Sequence, residues 1–210
     1  MSSTYCNPLP LPDYPRGAFT RRGSDYGWRR PARHDFRETA DPSVLYWQGK
    51  WYLYPSCGMA WVSEDFVTWQ HHRLEPYDIG YAPTLLAYRG RFYLTASEHA
   101  PLYVADDALG PFALVGPMLL PDGRAVADWM DPMLFADDDG AVYAYWGCGG
   151  EGIRGAPLDP DHLNRLTAEP RLLFGFDPEH AWERLGIGMR TPPRAGWKAR
   201  GCSSTTAPTT

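Results

Sequence analysis

The sequence predicts an all-β fold assembled from one repeated sheet unit. Three observations carry the prediction. A strand–turn–strand pattern returns three times, helical periodicity is almost absent through residue 155, and aromatic residues make up 14% of the chain. Short apolar runs of strand length, rich in β-branched and aromatic residues and separated by turn residues, are the mark of β structure.

The first unit runs from Asp41-Pro42-Ser43-Val44-Leu45 to Gly49, then Trp51-Tyr52-Leu53-Tyr54. The second runs from Ala82-Pro83-Thr84-Leu85-Leu86 to Gly90, then Phe92-Tyr93-Leu94-Thr95. The third runs from Asp131-Pro132-Met133-Leu134-Phe135 to Gly140, then Val142-Tyr143-Ala144-Tyr145. Pro to Gly spans seven, seven and eight residues, and Gly to Tyr52, Tyr93 and Tyr143 spans three each time. Gln48-Gly49, Arg89-Gly90 and Asp139-Gly140 supply the turns, where glycine takes a positive φ at little steric cost. A proline at the start of each unit suits a first strand position, because it has no N–H to donate.

The outer half of each unit also reads as strand. Ser63-Glu64-Asp65-Phe66-Val67-Thr68-Trp69 follows the first hairpin, with His71-His72 on an outer strand beyond it. Leu102-Tyr103-Val104-Ala105 and Gly110-Pro111-Phe112 follow the second. Pro160 to Arg171 reads as a helical turn or a connector. The units start 41 and 49 residues apart, and a period in the forties with several strands per unit is that of a β-propeller blade. The competing fold is a sandwich with coincidental Gly–Tyr spacing. The joint recurrence of X-Pro, Gly and Tyr argues against it.

With 210 residues, 44% of them hydrophobic, the chain is one domain or a large part of one and can bury a core. Its nine Trp and thirteen Tyr serve either sheet packing or sugar stacking. A net charge of −5 argues against a nucleic-acid partner. The basic cluster Arg21, Arg22, Arg29, Arg30 and Arg33 reads as a solvated loop folded over the domain. Cys6, Cys57, Cys148 and Cys202 have no metal-site spacing and read as thiols in a reducing compartment. The N-terminus lacks the apolar run of a signal peptide, and no segment is long enough to span a bilayer. A cytoplasmic location is expected, with no membrane partner.

In a propeller the innermost strands surround a channel, so equivalent unit starts converge on one mouth. Asp41 and Asp131 hold the same position in units one and three, and Ala82 holds it in unit two. Asp-Pro is a common turn pair, but the alanine shows that the fold does not demand an acid there. Two carboxylates across a cleft suit glycosidic bond hydrolysis, where one group activates water and another protonates the leaving oxygen.

At these residues the chain resembles glycoside hydrolase family 43, five-bladed propellers acting on arabinosides and xylosides. The stretches ADPSVLYWQGKWYLYPS, YAPTLLAYRGRFYLTAS with LYVADDALGPF, and DPMLFADDDGAVYAYWG carry the likeness and cover most of residues 36 to 150. The resemblance implies an inverting mechanism on a carbohydrate substrate. It makes Asp41 the general base and Asp131 the carboxylate that tunes the acid and helps position it. It places Tyr81 and Trp129 near the sugar pocket, with plain packing as the alternative for each. Some family members hold a calcium ion in the channel. No cofactor is expected from this sequence, and Asp137-Asp138-Asp139-Gly140 lacks calcium-loop spacing and reads as a hairpin turn.

The family's general acid is a Glu opening a fourth unit, and no such unit follows Glu183, the last Glu. Residues 1–186 are therefore expected to form the N-terminal part of a single propeller catalytic domain with about three blades. Residues 187–210 read as a disordered or out-of-frame tail. One permitted codon set for GWKARGCSSTTAPTT, read from the last base of its first codon, gives LEGAWMFKHNGTYY. That peptide is a Glu-led unit with the acid-to-Gly interval of Asp131 to Gly140, which points to a frameshift near Gly186 and a copy lacking its acid. The alternatives are a non-catalytic carbohydrate-binding propeller and, more weakly, a related five-bladed family acting on fructosides.

Overall fold

The computed structural model describes residues 9–12, 39–56, 58–76, 79–97, 101–148, 152–175, 177 and 179–180. The arginine cluster, Cys6, Cys57, Cys202, Glu183 and the tail at 187–210 lie outside them.

All the regular elements among the described residues are strands, and they form three antiparallel sheets. The first sheet is β1 (Ser43–Trp47), β2 (Lys50–Tyr54), β3 (Met59–Ser63) and β4 (Gln70–Arg73), in that order. The second is β5 (Tyr81–Tyr88), β6 (Arg91–Ser97), β7 (Pro101–Ala105) and β8 (Ala113–Pro117), again in order. The third runs β9 (Met133–Ala136), β10 (Val142–Trp146), β11 (Ile153–Asp159) and β12 (His162–Leu166). A further strand, β13 (Arg171–Phe174), pairs with the N-terminal half of β11. Each sheet is a meander of neighbouring strands, and the first strands β1, β5 and β9 lie side by side. These are three propeller blades, as the repeat predicts.

The hairpins explain the spacing. Gln48-Gly49 and Arg89-Gly90 all have positive φ, the two-residue turn whose twist matches that of paired strands. The third hairpin is one residue longer. Its Gly140 has φ +85° and its N–H bonds the Asp137 carbonyl at 2.9 Å, hence eight residues from Pro to Gly rather than seven. The Asp137 and Asp139 carboxylates accept backbone N–H groups of Asp138 and Ala141, so this run is a turn, as expected.

Two outer-strand readings need correction. Pro160 to Arg171 is not a helical turn, because it contains β12. Leu163 and Leu166 are both buried, and a spacing of three suggests a helix. The β11–β12 register shifts between Leu158 and Asp159, and that irregularity returns both leucines to one face. In the second blade, Gly110-Pro111-Phe112 precedes the fourth strand rather than forming it. In the first blade Asp65 ends the outer strand. It accepts the N–H groups of Val67 and Thr68 and the hydroxyls of Ser63 and Thr68, which holds its carboxyl well below the usual range.

The core lies between blades. Tyr54, Leu74, Ile79, Phe92 and Leu94 fill the space between the first and second, and the Tyr54 hydroxyl donates to the Ala108 carbonyl at 2.8 Å. Leu102, Met118, Trp129, Leu134, Val142 and Trp146 fill the space between the second and third. The second blade thus buries both faces against its neighbours, while the first also carries a cluster of Leu53, Met59, Trp61 and Trp69 with Leu9 and Leu11. At the rim, Arg89 of the second blade pairs with Asp161 of the third at 2.6 Å, an exposed bridge of small worth.

Candidate active site

The blade openings share an unusual backbone. Asp41, Ala82 and Asp131 have φ of +50°, +48° and +47°, and a proline follows each. Left-handed geometry costs an ordinary L-residue about 1–2 kcal/mol. It is imposed three times over, at the same place in the repeat. Asp41 and Asp131 bend just ahead of β1 and β9, whereas Ala82 bends inside β5. In the second blade the register skips from Tyr81 to Thr84, so Ala82-Pro83 sits in an irregularity where the missing proline N–H is harmless.

The three openings line one mouth with the residues that follow them, Pro42 to Val44, Pro83 to Leu85 and Pro132 to Leu134. Its volume of about 510 Å³ falls within the range of small-molecule sites, roughly 300–1,000 Å³. Asp41 and Asp131 therefore meet at one cavity, as the repeat predicts. Burial, then the like charge of Asp41, push the Asp131 carboxyl above its ordinary value, and a hydrogen bond from Ser97 opposes them. Asp131 is solvent-accessible from the mouth, so the burial is partial crowding by neighbouring blades rather than enclosure in an interior.

Trp129 does not line this mouth. Its ring is 3% exposed, lies 4.9 Å from that of Trp146, and donates its Nε1–H to Thr95 Oγ1 at 3.0 Å. A buried indole so partnered is a packing residue, and it anchors the loop that carries Asp131 two positions on. Tyr81, one position before Ala82, is half-buried and packs against the cluster of Leu53, Met59, Trp61 and Trp69. It too is absent from the mouth lining among the described residues.

Serines at the ends of the second strands escaped the sequence reading. Ser56 Oγ accepts the Ala82 N–H at 3.1 Å, and Ser97 Oγ accepts the Asp131 N–H at 2.8 Å. Ser97 also donates to Asp131 Oδ1 at 3.3 Å. Both serines are fully buried, at 0% and 1% exposure. Each lies four residues after the repeat tyrosine, where the third unit has Gly147. That recurrence was the available signal. Among the described residues no group of three or more His, Cys, Asp and Glu side chains is arranged to hold a metal. Nor is any helix there long and apolar enough to cross a membrane.

Comparison with known proteins agrees with this geometry. The model of glycosyl hydrolases family 43 matches residues 36–182. Among solved structures, the chain is similar to a family 43 arabinoxylan arabinofuranohydrolase from Bacillus subtilis, solved with cellotetraose. It is 22% identical with a TM-score of 0.54, over 66% of this chain and 41% of that one. An α-L-arabinofuranosidase from Clostridium thermocellum is 21% identical at a TM-score of 0.51, over 71% and 59%. An α-L-arabinanase from Cellvibrio cellulosa is 22% identical at 0.51, over 68% and 55%. At such identities the likeness is one of fold, and the chain spans 41–59% of the length of these three. The search of curated proteins gave no match. The family match covers well over half of the chain and all three blade openings, and on that ground the chain belongs to glycosyl hydrolases family 43.

Proposed function

We propose that this protein is a glycoside hydrolase acting on O-glycosidic bonds of arabinosides or xylosides in plant-type polysaccharides or oligosaccharides. The observation that carries the reading is the convergence of Asp41 and Asp131, both inside the matched region, on one sugar-sized mouth. In an inverting reaction a carboxylate takes a proton from water as its oxygen attacks the anomeric carbon. A second acid gives a proton to the departing oxygen as the glycosidic bond breaks. We assign the first role to Asp41. Asp131 is assigned to tuning and holding the acid.

Among the described residues the mouth holds these two carboxylates and no Glu. The chain is therefore proposed to turn over little or no nitrophenyl arabinofuranoside or xyloside by itself, since general acid–base assistance is worth about 10²–10⁴-fold. Robust turnover by the pure chain refutes the proposed inactivity. The nucleotide sequence through the codon for Gly186 decides whether a Glu-led unit is encoded in another frame. Stops and no Glu-Gly there end the frameshift idea. If a frame-restored protein binds glycans without cleaving them, the carbohydrate-binding reading replaces the enzymatic one.

A further inference from the structure

We propose that Ser97 is a positioning residue for Asp131: one hydroxyl fixes the left-handed backbone that presents the carboxylate and orients the carboxylate as well. The inference rests on Asp131 being a working group of the proposed site.

The geometry divides the two jobs. A serine hydroxyl has one proton and two lone pairs. Ser97 Oγ spends a lone pair on the Asp131 N–H at 2.8 Å, which leaves its proton for Oδ1 at 3.3 Å. At 1% exposure it has little water to compete for either bond. One blade earlier, Ser56 Oγ holds the Ala82 N–H at 3.1 Å, and alanine has no carboxylate to receive a proton. The backbone tether is thus shared by the first two units, and the contact to Oδ1 is what an acid at the opening adds. Thr95, on the same strand, holds Trp129 at 3.0 Å. Strand β6 therefore grips the Asp131 loop at two points two residues apart.

Among the described residues, the groups that line the mouth with Asp131 are few. The first blade brings Asp41, while the second brings Ala82, Pro83, Thr84 and Leu85, none of them ionisable. With a like charge opposite, a donated proton is the contact that favours the ionised form, and Ser97 supplies it.

The test is carried out on the chain itself, with carboxyl-carbon NMR titration of Asp131 and amide hydrogen exchange read residue by residue. Ser97→Ala is expected to raise the Asp131 midpoint and speed exchange of its amide, and Ser97→Thr is expected to restore both. Ser56→Ala is expected to speed exchange at Ala82 and leave the Asp131 midpoint alone. If Ser97→Ala speeds exchange at Asp131 without raising the midpoint, Ser97 is only a tether and the proposal is overturned. Equal midpoint shifts from both alanine variants overturn it too. Should Ser97→Ala not fold, Ser97→Cys keeps the shape with a weaker donor. A smaller upward shift then supports the proposal, and an unchanged midpoint overturns it. None of these readouts involves a sugar, so failure of the glycosidase reading would register separately, as a frame-restored protein that binds glycans without cleaving them while the Asp131 shift stays intact.

Discussion

Asp41 and Asp131 stand ninety residues apart in sequence and line the same mouth, close enough for the charge of one to raise the pKa of the other. The coupling makes a direct prediction. Asp41→Asn removes the like charge, so the Asp131 midpoint is expected to fall while staying above its ordinary value because burial remains. Carboxyl NMR titration of the two proteins checks this, and an unchanged midpoint would mean that the carboxylates do not sense each other.

The same shift fixes the sign of a stability effect. The folded-state pKa of Asp131 is raised above the ordinary 3.8. Its contribution to stability is therefore fully present below that value and is lost as pH rises through the folded one. Asp131→Asn keeps a residue that tolerates left-handed φ and has no charge to lose. At pH 7 it is expected to melt slightly above the parent, with the gap closing as pH falls below about 4. Melting curves of both proteins across that range are the measurement, and a gap that widens in acid would contradict the assignment.

Ala82 carries the left-handed strain without a carboxylate to show for it, at φ +48°. Ala82→Gly is expected to stabilise the fold by about 1 kcal/mol, or roughly 2–4 °C in Tm. Ala82→Val, β-branched in the same backbone, is expected to lose more than that. Calorimetry decides, and a glycine variant less stable than the parent would count against strain at this position.

Trp129 is expected to report on folding rather than on sugar. Trp129→Phe leaves Thr95 Oγ1 buried without its indole donor and is expected to cost about 1–3 kcal/mol. Trp129→Ala adds the loss of a buried ring packed on Trp146, about 3–5 kcal/mol in all. Denaturant unfolding measures both. Near-parental stability with weakened sugar binding would return Trp129 to the pocket.

The blade architecture was legible because its determinants are local. Proline, Gly-containing turns and tyrosines recur at fixed offsets, and Gln48-Gly49 and Arg89-Gly90 adopt the turn their composition favours. The meeting of Asp41 and Asp131 was legible for the same reason, since equivalent repeat positions must converge on the channel. Side-chain direction was not. Whether Trp129 faces the mouth or the core depends on Thr95 and Trp146, which are distant in sequence. Likewise β12 was hidden because the Leu163–Leu166 spacing is helical in appearance, and only the register shift against β11 reconciles it with a strand. Ser56 and Ser97 stood in the aligned units and were passed over, because a small hydroxyl at a strand end looks like any turn residue until its bonds to the next blade are seen.

The matching φ of Asp41, Ala82 and Asp131 also bears on how such a molecule changes over time. The three blades build the same left-handed bend at each of these openings, whether Asp or Ala fills it. Gaining or losing an acid there is then a single-codon event that leaves the scaffold in place. On the proposed reading of Asp41 and Asp131, the backbone that shapes an opening and the acid that works there are separate inheritances, and Ala82 shows the first without the second.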